Sequence, residues 1–206
     1  KGTGDIWTLT VEEYRASPRW KRALYRLYRN PAFLFLVAPF FLFAIMNRFP
    51  TPHRSRKENL GILLTDVGIL ALVLLVSVTI GFRYYALIQL PILYVASSCG
   101  LWLFYVQHQF RTVYWSRNEG WDLVRAALEG SSYYRLPAVL RWFTGNIGYH
   151  HIHHLNPLIP NYRLGRCQRE VPELAQVPGM TVLSSLKSLR WRLYDEARKT
   201  MTGFSG

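Results

Sequence analysis

Two apolar runs, residues 60–80 and 84–106, are separated by only Gly81, Phe82 and Arg83. As helices they extend about 31 and 34 Å at about 1.5 Å per residue, each enough to cross a hydrocarbon core of about 30 Å. The pair predicts a tight transmembrane hairpin. Phe82, Tyr84 and Tyr85 at its turn, with Trp102, Phe104 and Tyr105 near its other end, suit interfacial aromatic belts. A third apolar run, residues 32–46, reaches only about 22 Å and is interrupted by Pro39. Lys and Arg number seven before this run, four between residues 48 and 57, one in the hairpin turn and thirteen after Val106. The turn therefore faces outward and the flanks face the cytoplasm. Were the 32–46 run to cross as well, its two basic flanks would lie on opposite sides, so it is expected to be re-entrant or interfacial. Asp66 is the one ionisable residue inside the spanning runs and is expected to bond a neighbouring helix or water.

A chain that is 50% hydrophobic, 15% aromatic and only 18% charged is too oily to be disordered. Its net charge of +13 lies mostly outside residues 32–106 and suits anionic lipid headgroups, and no nucleic-acid partner is expected. Residues 1–30 read as a basic surface helix opened by a Thr10–Glu13 capping box, with Trp20, Leu24, Leu27 and Tyr28 on one face and Arg19, Arg22, Arg26 and Arg29 around it. Residues 107–206 read as a helical cytoplasmic cap. Within it, Pro157, Pro160, Pro172 and Pro178 mark an irregular loop, and Val182, Leu186, Leu189, Leu193 and Ala197 predict an amphipathic closing helix. Two cysteines, Cys99 and Cys167, are too few for a disulfide framework or a thiolate metal site. The chain starts at Lys1 with no signal-peptide pattern, and is expected to be a fragment of a longer polypeptide.

Four of the six histidines fall within five residues: His150, His151, His153 and His154. On a helix His150, His153 and His154 stand at i, i+3 and i+4 and share a face, while His151 points about 100° away. Clustered imidazoles repel when protonated, and a metal ion relieves that cost, so the cluster predicts a metal site. His108 lies just past the cytoplasmic end of the second spanning run, on the same side of the membrane, and joins the candidate ligands. His53, between Pro52 and Arg54, reads as a solvated loop residue.

The H-x-x-H-H spacing of His150, His153 and His154 after a transmembrane hairpin resembles the C-terminal part of the membrane fatty acid desaturases, of the bacterial acyl-lipid, omega-6 type. The resemblance runs through residues 4–8 (GDIWT), 107–110 (QHQF), Tyr114 and Trp115, 130–134 (GSSYY), 145–155 (GNIGYHHIHHL) and 159–163 (IPNYR), and so covers nearly the whole chain. It implies a centre of two iron ions that uses dioxygen and two electrons to place a cis double bond in an acyl chain, with no catalytic side chain beyond the metal ligands. By resemblance His108, His150, His153 and His154 are iron ligands, and Asn146 and Gln107 are candidates for supporting them. The implied partners are an acyl lipid or other fatty acyl substrate and an electron donor such as ferredoxin or a small haem protein. The implied location is the bacterial inner membrane, with the histidines facing the cytoplasm.

This sequence departs from the family pattern in two places. The first two histidine boxes are missing, and the remaining ligands are expected upstream of Lys1, since four histidines cannot hold two irons. Arg111 and Thr112 occupy positions where acidic residues are expected, and an arginine there adds positive charge beside a cationic centre. The expected architecture is thus an all-α integral membrane protein with a helical hairpin, one re-entrant or interfacial helix and a cytoplasmic cap carrying the histidines. A related di-iron lipid or carotenoid hydroxylase or ketolase is the alternative enzyme. A membrane metal-binding or transport protein is the alternative outside enzymes, but it would need ionisable residues along a path through the spanning helices, where only Asp66 stands.

Overall fold

The computed structural model describes residues 6–117 and 120–204, so Gly4 and Asp5 of the GDIWT stretch lie outside the described residues. In chain order the elements are α1 (Val11–Ala16), α2 (Arg19–Tyr28), α3 (Ala38–Phe40), α4 (Arg56–Val76), α5 (Phe82–His108), α6 (Leu123–Leu128), β1 (Tyr133–Arg135), α7 (Ala138–Phe143), α8 (His150–Leu155), α9 (Asn161–Glu170), β2 (Gly179–Thr181), α10 (Val182–Ser185), β3 (Leu193–Asp195) and β4 (Thr200–Thr202). The chain divides into two compact units, Tyr25–Trp102 and Lys1–Leu24 with Leu103–Gly206.

In the first unit, α4, a π-helical turn Ser77–Gly81 and α5 make up the apolar run Arg56–His108, which is long and apolar enough to cross a membrane. A core helix of a soluble protein would be buried, whereas the most apolar stretch of this run is 0% buried. Nine large apolar side chains on α4 alone are exposed, on all sides of the helix. At about 1.5–3 kcal/mol each, leaving them in water would forfeit more than the about 5–15 kcal/mol that holds a typical domain together, so lipid is the solvent they fit. Three hydroxyls on this run are satisfied within it: Thr65 donates to the Gly61 carbonyl at 2.8 Å, Ser77 to Val73 at 2.6 Å and Thr79 to Leu75 at 2.8 Å. Ser55 and Glu58 cap the start of α4 reciprocally, and Gly81, at φ 102°, adopts the left-handed backbone at the join with α5. The 32–46 run is helical, with π turns Phe33–Val37 and Phe41–Ile45 on either side of α3, and these wider turns accommodate Pro39. Asp66 finds a partner, accepting a hydrogen bond from Arg48 at 3.3 Å.

The second unit corrects several expectations. It is not wholly helical: β1 and β2 pair in parallel with Tyr134 opposite Met180, and β3 and β4 form an antiparallel hairpin with Tyr194 opposite Met201. The capping box forms as expected, with Thr10 Oγ1 accepting from Glu13 N at 3.1 Å and the Glu13 carboxylate accepting from Thr10 N at 2.9 Å. The helix it opens nonetheless stops at Ala16, because Pro18 lacks an N–H and forces Ser17 to extended backbone, and α2 begins afresh at Arg19. Trp20, Leu24 and Leu27 on α2 are exposed, as a surface helix requires. Arg29, which falls with Tyr25 in the unit Tyr25–Trp102, is 1% exposed with its guanidinium 5.8 Å from the Tyr25 ring centre, so it does not belong to the basic fringe.

The proline-rich stretch 157–178 is not an irregular loop. Pro160 caps α9 and Pro172 opens the 3-10 turn Pro172–Gln176, positions at which a missing N–H costs nothing. The closing amphipathic helix is also absent. After α10 and the 3-10 turn Leu186–Arg190 the chain becomes the β3–β4 hairpin. Pairing with distant backbone overrides the local helical spacing of leucines: Tyr194 N donates to the Leu9 carbonyl at 3.1 Å and Met201 N to the Arg111 carbonyl at 2.8 Å.

Candidate metal centre

The last turn of α5 carries His108, and α8 carries the other histidines. The path into α8 is tightly determined. Gly145 and Asn146 both take left-handed backbone, at φ 58° and 60°, and reverse the chain after α7. The 3-10 turn Ile147–Tyr149 follows, and a Cβ at Gly148 would collide with the Tyr134 carbonyl oxygen, so β1 and the start of the histidine helix touch backbone to backbone. Tyr149 and Ile152 then pack with Leu164 and Leu174 in a buried cluster, which fixes the roll of α8.

That roll brings three imidazoles together. His154 Nε2 lies 3.0 Å from His108 Nε2 and 3.0 Å from His150 Nε2, and the three ligand atoms lie within 4.8 Å of one another. A ring nitrogen holds either one proton or one in-plane lone pair, so His154 Nε2 can serve only one of these neighbours in a hydrogen bond. Convergent lone pairs are what a cation satisfies. Two imidazole nitrogens bound at about 2.1 Å and at right angles around one ion stand about 3.0 Å apart, which matches the two pairs that include His154. His108 Nδ1 is 2.8 Å from the Phe104 carbonyl, which can only accept, so the proton sits on Nδ1 and Nε2 is left with its lone pair. Burial first, and then the neighbouring imidazoles, push His150 down to about 2, so it stays neutral and able to ligate. The residues present therefore fit a metal ion bound by nitrogen.

His153 stands beside this trio and not within it. It is exposed, with its ring centre 5.9 Å from that of His150. His151 turns away, as its place on the helix predicts: it is fully buried, its Nε2 lies 2.7 Å from Gln168 Oε1, and Gln168 Nε2 donates onward to the Leu174 carbonyl at 2.9 Å. Gln107, also fully buried, donates from Nε2 to the Ile147 carbonyl at 2.8 Å and so ties the last turn of α5 to the turn that opens the histidine helix. Asn146 does a different job from the one expected: its side chain donates to the Asn161 carbonyl at 3.2 Å and holds the chain reversal. The partners Phe104 and Gln168 escaped the sequence reading. Phe104 lies one helical turn before His108, so spacing could have found it, whereas no local pattern marks Gln168. His53 is an exposed loop residue, as expected.

Beside the trio lies a cavity of about 600 Å³ lined by His108, His154, Phe104, Val113, Trp115 and Met201, among others. Its size is that of a pocket for one small ligand or a length of hydrocarbon, and its walls are largely apolar and aromatic.

A nitrogen metal site opening on an apolar cavity agrees with what the chain is similar to. A family model described as fatty acid desaturase matches residues 2–184. The chain is 47% identical over 204 residues to a protein named fatty acid desaturase from Bacillus subtilis (strain 168), an alignment that takes in 99% of this chain and 58% of that relative. The chain thus spans 58% of the length of the curated relative it matches. With the histidine spacing, the convergent nitrogens and a family match over most of its length, the chain belongs to the fatty acid desaturase family.

Proposed function

We propose that this chain is the C-terminal portion of a membrane di-iron desaturase that introduces a cis double bond into a fatty acyl chain, and that it supplies about half of the metal centre. The observation that carries the reading is the meeting of three imidazoles, with His154 Nε2 3.0 Å from both His108 and His150, beside an apolar cavity. When bound, two iron ions supply the dioxygen-activating, two-electron chemistry that an unactivated C–H bond requires. The protein's own part is to hold and to exclude. His108, His150 and His154 hold one ion, and the exposed His153 serves the second together with histidines from elsewhere in the polypeptide. The Phe104 carbonyl keeps His108 in the ligating tautomer, and Gln107 keeps its helix end in register with α8. The aromatic cavity takes the acyl methylenes and keeps water from them. The substrate is an acyl lipid or another fatty acyl compound, and the electrons come from a ferredoxin or a small haem protein.

In the same reading, α4 and α5 form a transmembrane hairpin turning at Gly81 on the outer side, and the helical run before Arg48 is re-entrant or interfacial. The left-handed Gly81 supports this, as does a cavity of about 800 Å³ lined by Gly61, Ile62 and Thr65 of α4 and by Leu93, Ala96, Ser97 and Gly100 of α5, residues that face one another only if the two helices run antiparallel. The membrane is a bacterial inner membrane with the histidines at its cytoplasmic face, an orientation that the count of Lys and Arg supports.

The test is expression of the intact polypeptide in a bacterial host, with double bonds detected by mass spectrometry of cellular fatty acids and iron counted in the purified protein. Unsaturated product and about two irons per chain are expected. A product carrying a new hydroxyl or keto group in place of a double bond would overturn the reading in favour of an oxygenase. The 206-residue chain on its own is expected to form no product and to hold fewer than two irons, because only four of its histidines lie near the centre.

A further inference from the structure

The family match ends at residue 184, yet Met201, beyond that limit, lines the cavity beside the histidine trio. Met201 is 2% exposed, whereas Trp7 and Trp121 on the same cavity are 39% and 49% exposed. The cavity therefore opens at the tryptophans and is closed where Met201 stands. Strand alternation turns Met201 inward between the half-buried Thr200 and Thr202. The hairpin that carries it is clamped on two sides. Met201 N donates to the Arg111 carbonyl at 2.8 Å, and its cross-strand partner Tyr194 donates from N to the Leu9 carbonyl at 3.1 Å. Tyr194 also stacks on Trp115, another wall residue, with ring centres 4.9 Å apart. A side chain so fixed at the closed part of an apolar cavity bounds whatever occupies it.

We propose that the C-terminal β-hairpin gauges the substrate: Met201 forms the closed end of the acyl cavity and sets both the chain length accepted and the carbon atoms presented to the histidine trio. The inference rests on the desaturase reading above. A methionine suits the task because it fills space without polar demands, and its size can be changed in either direction.

The experiment uses the intact polypeptide in a bacterial host supplied with saturated fatty acids of graded length, and it reads the ratio of products by chain length and double-bond position. Met201→Ala is expected to move the ratio toward longer chains and Met201→Phe toward shorter ones, by about tenfold for each methylene gained or lost in an apolar pocket. Met201→Leu, which nearly conserves volume, is expected to keep the original ratio. Because a ratio is read from whatever product forms, reduced abundance of a variant does not move it, and the Phe variant decides the matter if the Ala variant is not retained in the membrane. Unchanged ratios in the Phe variant, while the unaltered polypeptide makes unsaturated product, would overturn the role of Met201 and leave the desaturase reading standing. No unsaturated product from the unaltered polypeptide would overturn both.

Discussion

The run from α4 to α5 and the region from Gln109 to Phe204 hold themselves in opposite ways. Along the first, leucines, isoleucines and valines face outward on every side, and the regular backbone needs no partner beyond its own helix. Along the second, small helices and two-stranded sheets are fixed by long-range contacts, such as Tyr134 Oη to Ser185 Oγ at 3.0 Å and Met201 N to the Arg111 carbonyl at 2.8 Å. The first region fits an apolar solvent such as lipid, and the second is built around a candidate site. Lipid-held helices tolerate change on their faces, whereas a site assembled from short elements does not.

Replacement of a trio member tests that contrast most severely. His154→Ala in the intact polypeptide should reduce double-bond formation below detection and weaken metal binding, while membrane retention stays as before, since the spanning run is untouched. His108→Ala and His150→Ala should match it, and His153→Ala should also abolish activity if it serves the second ion. Retained activity in the His154 variant would remove the trio from the reaction. The topology gives a result of the same all-or-none kind. With Cys99 and Cys167 replaced by Ser, the Arg54→Cys variant should react with a membrane-impermeant thiol reagent only from the cytoplasmic side, and labelling from outside would mean that residues 32–46 cross.

Smaller effects sharpen the comparison. Gly148→Ala places a methyl group against the Tyr134 carbonyl and should destabilise the site-bearing unit by about 2–4 kcal/mol, visible as a lowered thermal midpoint. Gly68→Ala on α4, where an added Cβ meets nothing within 4 Å, should be near neutral. Equal responses to the two substitutions would dissolve the distinction between the regions. Within the site-bearing unit the mildest change is His151→Ala. It leaves the trio intact but strips Gln168 Oε1 of its partner, so it should cost about 1–3 kcal/mol of stability while activity remains measurable. Loss of activity as complete as in the His154 variant would place His151 in the centre.

What could be read from the sequence follows the same division. The long apolar run was legible because length and apolarity are summed along the chain and need no knowledge of neighbours. The trio was legible in part: i, i+4 spacing put His150 and His154 on one face, and the shared membrane side brought in His108. The side-step of His153 depends on the roll of α8, which Ile152 and Tyr149 set by packing against α9 and the turn after it. The C-terminal hairpin was misread because Val182, Leu186, Leu189 and Leu193 keep helical spacing, while the competing partners, Leu9 and Arg111, lie far away in the sequence. Pro18 was a local signal for the break between α1 and α2, and reading residues 1–30 as one helix passed over it.

The link from Gln107 to Ile147 also bears on the order in which the protein is made. It closes a loop of 40 residues, His108 meets His154 across 46, and Tyr105 donates to the Ser188 carbonyl at 3.3 Å across 83. Closures of that span come late, after local helices have formed. During synthesis α5 is complete well before α8 leaves the ribosome, so His108 waits at the end of its helix without companions. In the proposed reading, metal capture would be a closing event of maturation, because the three imidazoles meet only once the chain has folded back on itself.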